Sequence, residues 1–170
     1  MVEDLEDPRR EDPAFVLSER AMLEGWLEYH RTTLLLKCEG LDDTARKARP
    51  VATSKLSLHG LVRHMAEVER NWFRRVLGGE SDSPPIYGEG HDSELVPLDT
   101  AVWQTDLDIW QAECEASRRA ASVRELDDTG LRRGEPCSLR WIYVHMIEEY
   151  ARHNGHADLI REMADGRVGC

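Results

Sequence analysis

The sequence predicts an all-α protein, a four-helix bundle, on three observations. Four segments repeat apolar residues at helical spacing, no segment alternates as a strand does, and two connections are long enough to cross the end of a bundle. At 170 residues the chain is one domain's worth, able to bury roughly two-thirds of the surface its unfolded form exposes. The exception is residues 1–13, where six acids, two arginines and two prolines accompany only Val2 and Leu5 as larger apolar side chains. A loose acidic arm, or one draped over the surface, is expected there, ahead of a single domain over 14–170.

Ser18 suits the N-cap of the first helix, from which Leu23, Trp26, Leu27, His30 and Leu34 recur at helical spacing until Gly40. After the loop holding Pro50, Ser57 caps a second helix with Leu61, Met65, Val68, Trp72 and Val76 on its apolar face, ending at Gly78-Gly79. Gly78 to Pro97 mixes glycine, proline and acids without periodicity and reads as a long crossover or lid. Asp99 or Thr100 starts a third helix, with Trp103, Leu107, Trp110 and Cys114 on one stripe, running to about Ala121. A polar connection, Arg124 to Pro136, leads to Ser138, which caps the fourth helix. Its seam is Ile142, Met146, Glu149, His153, His156, Ile160 and Met163, polar in the middle where a core should be apolar.

Composition excludes several function classes. The 33 acids exceed the 22 lysines and arginines by 11, and no basic run is present to neutralise a phosphate backbone, so nucleic acid is not an expected partner. No segment approaches the ~20 apolar residues of a membrane span, and the acidic N-terminus is not a signal peptide's, so a soluble, cytoplasmic protein is expected. Cys38, Cys114, Cys137 and Cys170 form no CxxC pair. They read as free thiols in a reducing compartment, buried as fillers and without the basic neighbours that would mark a nucleophile.

The polar middle of the fourth helix carries the chemistry. Glu149 and His153 lie four residues apart, one turn apart on one helical face. A carboxylate in an apolar interior needs a compensating cation, and a divalent metal satisfies it together with a neutral imidazole. His64, beside Leu61, Met65 and Val68 on the second helix, faces the same interior as a third candidate. Two imidazoles and a carboxylate leave a position open for water or substrate, as in catalytic zinc, and the set also suits Ni, Fe(II) or Co.

Spacing alone leaves other assignments open. The same residues also read as a hydrogen-bonded core; Glu148 is the inward carboxylate if the helix is rotated; His153 with His156 is a rival pair, and His145 a further competitor. His30 shares the face of Trp26 and Leu34 and could line a pocket. His59 and His91 read as solvated, as do Arg152 and Arg161, and the five tryptophans mostly as core.

The stretch Leu61-Val-Arg-His64-Met-Ala-Glu-Val-Glu-Arg-Asn-Trp72, with the closing Glu149-Tyr-Ala-Arg-His153-Asn-Gly-His156, resembles the DinB/YfiT-like superfamily. It is most similar to an actinobacterial branch that includes mycothiol-dependent transferases and the mycothiol-dependent maleylpyruvate isomerase. The likeness runs from about Glu19 to Gly166. It implies an up-down-down-up four-helix bundle with a metal triad at His64, Glu149 and His153, and it puts His156 in the pocket beside the metal rather than among the ligands. Many relatives have histidine where Glu149 stands, whereas the maleylpyruvate isomerase has glutamate, so the resemblance points to the mycothiol-using side. The implied activity is metal-dependent S-transfer from mycothiol, as co-substrate, to a small electrophile, in which the metal turns the thiol into a thiolate nucleophile. The rival readings are a thiol-dependent isomerase, a metal-dependent hydrolase and a non-catalytic metal-binding module. Monomer and homodimer are equally compatible with the pattern, and no role for the 79–98 loop is readable.

Overall fold

The structure, a computed structural model, describes residues 7–90, 92–96 and 99–168. Residues 1–6 of the acidic arm, His91, Pro97 and Cys170 lie outside the described residues. The chain is mostly helical, with α1 (Glu19–Cys38), α2 (Asp43–Lys47), α3 (Leu58–Glu69), α4 (Trp103–Ser122) and α5 (Leu139–Asp165). Strands β1 (Thr129–Arg132) and β2 (Glu135–Ser138) form an antiparallel hairpin ahead of α5. α1 packs chiefly on α5, and α3 on α4. No described helix is long and apolar enough to cross a membrane.

The caps read from the sequence are in place. Ser18 accepts from the Ala21 amide at 3.3 Å, Ser57 from Gly60 at 3.0 Å and Ser138 from Trp141 at 3.2 Å, each satisfying an amide that the first turn leaves without a helical partner. α5 stops at Gly166, whose φ of 80° suits a residue with no Cβ. The described part of the arm lies along α1: Arg9 pairs with Glu39 at 2.7 Å, and the Arg10 guanidinium sits 5.2 Å over the Tyr29 ring.

Several features differ from the sequence reading. α3 continues into a π-helical stretch, Arg70–Leu77, closed by the Gly78 amide on the Phe73 carbonyl at 3.0 Å. Such wide turns are rare and often mark functional regions. α4 begins at Trp103 rather than near Thr100, because Lys47 of α2 donates to the Ala101 carbonyl at 2.7 Å and holds that stretch extended. The connection expected over Arg124–Pro136 contains the β1–β2 hairpin, which turns through Arg133 and Gly134 at φ 52° and 87°, the paired positive values of a two-residue hairpin loop. Gly130 is required there: a Cβ on it would lie 1.9 Å from the Val76 carbonyl oxygen. Arg161, expected in solvent, is 2% exposed, because it donates to the Lys37 and Glu39 carbonyls that α1 leaves open at its end. Of the residues expected inside, Met163 is largely exposed and Trp26 and Trp141 are partly so.

The core has a polar centre that helical periodicity hid. Glu69 is fully buried and accepts from Arg31 through Nε at 2.8 Å and Nη2 at 2.7 Å, and from the Tyr150 hydroxyl at 2.8 Å. Trp110 Nε1 donates to that hydroxyl at 2.9 Å. Burial alone would lower the Arg31 pKa, but the charge of Glu69 holds it well above its ordinary value. Removing one member leaves an uncompensated buried charge, so Arg31→Met is expected to cost about 3–5 kcal/mol in urea unfolding. The double variant Arg31→Met with Glu69→Met should recover much of that loss. Equal destabilisation of single and double variants would sink this account of the core.

Candidate metal centre

α3 and α5 bring His64, Glu149 and His153 together. One ligand atom from each lies within 4.8 Å of the other two, and all three residues are half-buried. The His64 and His153 rings meet edge to face with centroids 4.7 Å apart, and His153 Nε2 lies 3.5 Å from Glu149 Oε2. The i,i+4 spacing on α5 places the latter two on one face, and the Ser57 cap starts α3 so that His64 meets them.

The surroundings orient this set. His64 Nδ1 lies 3.0 Å from Glu94 Oε1. A carboxylate only accepts, so Nδ1 is the donor, and in the neutral ring that leaves Nε2 as the acceptor, the arrangement by which a carboxylate fixes a metal-binding imidazole. Glu94 belongs to the 79–98 loop, which is pinned where Glu67 Oε1 accepts from the Tyr87 amide at 3.0 Å and where Leu95 is buried. A cavity of about 340 Å³ between that loop and α3 is lined by His64, Asn71, Trp72, Arg75 and Glu94.

His145 lies on the other side of Glu149, its Nε2 3.3 Å from Oε1. Its ring is stacked on Trp141 at 4.9 Å and meets the edge of Trp72 at 4.5 Å. His145, Glu148 and Glu149 form a second close group, but Glu148 is exposed and paired with Arg152. His156 contacts His153 Nδ1 to Nδ1 at 3.4 Å, beside the triad rather than in it.

Other histidines lie elsewhere. The His30 carbonyl accepts from Asn154 at 3.0 Å, on the α1 side of α5. His59, expected in solvent, is fully buried, with Nε2 2.7 Å from Asp106 Oδ2 and its ring against Trp103, because the start of α4 covers the first turn of α3. Glu94 carried no sequence signal, since its loop has no periodicity. The Trp141–His145 contact had one, a spacing of four on α5.

A family model for mycothiol-S-transferase matches residues 22–166. The chain belongs to the mycothiol-S-transferase family. The match runs from within the first turn of α1 to the end of α5 and contains all three residues of the triad. It agrees with the superfamily resemblance carried by the α3 and α5 motifs. No curated protein and no solved structure matches the chain.

The donor set fits a divalent cation on electrostatic grounds. Burial first, and then the neighbouring His64 and His156, hold His153 down from 6.5 to about 4, so the imidazole is neutral and able to donate its lone pair near pH 7. His145 is also lowered, mainly by burial, against the opposing pull of Glu149 and Glu148. In metal-free protein His153 is therefore expected to titrate near pH 4, measured by NMR of its ring nuclei. The unfolded imidazole binds its proton near 6.5 and the folded one only near 4, so stability falls as pH drops through that window. Substituting His153 by Asn should flatten this part of the curve. A titration near 6.5 in the folded state would refute the assignment.

Proposed function

We propose that this chain is a metal-dependent S-transferase that conjugates mycothiol to small electrophiles. The observation that carries the reading is the convergence of His64, Glu149 and His153 within 4.8 Å of one another in a member of the mycothiol-S-transferase family. The four long helices are read as an up-down-down-up bundle, supported by α1 lying on α5, α3 on α4, and the long 78–97 connection between α3 and α4.

His64, Glu149 and His153 would hold the cation, zinc being the first expectation for two imidazoles and a carboxylate. When bound, such an ion supplies a Lewis-acidic position that lowers the pKa of an incoming thiol and so supplies the nucleophile. The protein's own part is positioning. Glu94 keeps the proton on His64 Nδ1, His145 braces Glu149 from the side away from His153, and Trp72 and Trp141 hold His145 in place. The 340 Å³ cavity beside His64 offers room for the electrophile.

Metal analysis by mass spectrometry on untagged protein tests the reading: about one equivalent in the wild type, lost in His153→Ala. Metal-loaded wild type should also consume mycothiol in the presence of monochlorobimane, and His153→Ala should not. A wild type that neither contains nor takes up metal would end the proposal. Glu94→Gln is expected to weaken metal affinity about 10- to 100-fold, read by competition with a chromophoric chelator.

A further inference from the structure

Trp141 is a partly exposed aromatic side chain next to the candidate site. It is 45% accessible, yet His145 stacks on it at 4.9 Å with the ring planes 20° apart, and Trp72 lies 5.1 Å away. The Arg132 guanidinium lies 6.0 Å over the Trp141 ring, so an aromatic surface and a hydrogen-bond donor lie side by side next to the candidate site. Trp141 lines a cavity of about 510 Å³ shared with Thr129, Arg132, Arg133, Glu135 and Ser138. The β1–β2 hairpin builds this cavity: its turn projects Arg133, and Gly130 lets it sit directly on the Val76 backbone.

We propose that this cavity is the subsite for the hydroxyl-rich ring portion of the thiol co-substrate, with Trp141 as its stacking platform. The inference rests on the thiol-transfer reading above and adds the place where the thiol's tail is recognised. A sugar ring presents C–H bonds on its faces and hydroxyls around its rim. The first match an aromatic face; the second match guanidinium, carboxylate and hydroxyl groups, which Arg133, Glu135 and Thr129 provide. Location supports the same assignment. Trp141 contacts His145, and His145 contacts Glu149 of the triad. Trp141 precedes Glu149 by two helical turns, about 12 Å along α5, a separation that a cysteinyl arm followed by a ring can span. The thiol then reaches the triad from the hairpin side, leaving the cavity beside Glu94 for the electrophile.

The test is calorimetric titration of the metal-loaded full chain with mycothiol and with N-acetylcysteine, which has the thiol arm and no ring. Trp141→Ala is expected to weaken mycothiol about tenfold more than it weakens N-acetylcysteine, and Trp141→Phe, which keeps an aromatic face, should retain most of the mycothiol affinity. Glu135→Ala, on the exposed hairpin, should weaken mycothiol selectively and carries the test if Trp141→Ala unfolds. Unchanged mycothiol affinity in Trp141→Ala and Glu135→Ala, or equal weakening of both thiols, would overturn the subsite while leaving S-transfer standing. A metal-loaded wild type that binds N-acetylcysteine but not mycothiol, or neither, would overturn both.

Discussion

The long helices meet at the buried carboxylate of Glu69. Glu69 has no contact with solvent, and an ionised carboxylate in such a place is tolerated only with a paired charge and filled lone pairs. Its partners come from every long helix: Arg31 of α1, Tyr150 of α5 with Trp110 of α4 behind it, and Cys114 of α4, whose Sγ lies 3.7 Å from Oε1. Apolar contacts tolerate sliding of a helix, whereas a fork of hydrogen bonds does not. Glu69 therefore sets the register of the four long helices.

The triad depends on that register. Tyr150 and Glu149 are neighbours on α5, and successive residues on a helix point in directions about 100° apart. Once Tyr150 is committed to Glu69, Glu149 and His153 are turned toward α3, where His64 stands five residues before Glu69. A shift of α5 by one residue would break the hydrogen bond in the core and the convergence at the surface together. Below Glu69 the π-helical stretch carries Trp72 to the ring of His145, so the irregular part of the helix braces the second side of Glu149.

The described cysteines are held in the thiol form. Burial pushes Cys38 up to about 12 and raises Cys114 and Cys137 as well, so none of the three supplies a thiolate near neutral pH. The histidines are arranged the opposite way, with His153 kept neutral by burial and by its neighbours. A site with available nitrogen donors and inert resident thiols suits a co-substrate that brings its own sulfur.

The sequence by itself determined the helical framework, because its signals are local: Ser18, Ser57 and Ser138 as caps, apolar residues at 3.6-residue spacing, and the one-turn separation of Glu149 from His153. The motifs on α5 and on α3 with its π-helical continuation also carried the family resemblance, since each lies within one continuous helical stretch. Only the tertiary structure decided the rest, because it depends on contacts between residues far apart in the chain. The pairing of Arg31 with Glu69 spans 38 positions and that of His64 with Glu94 spans 30, and nothing near either residue announces its partner. His59 and Arg161 look like surface residues until α4 and the end of α1 supply the groups that bury them. The hairpin was hidden because four-residue strands are too short for alternation to register. Periodicity shows which way a side chain faces along its own helix; what it meets there is set by packing, and that is where the candidate site acquires Glu94, His145 and the partly exposed Trp141.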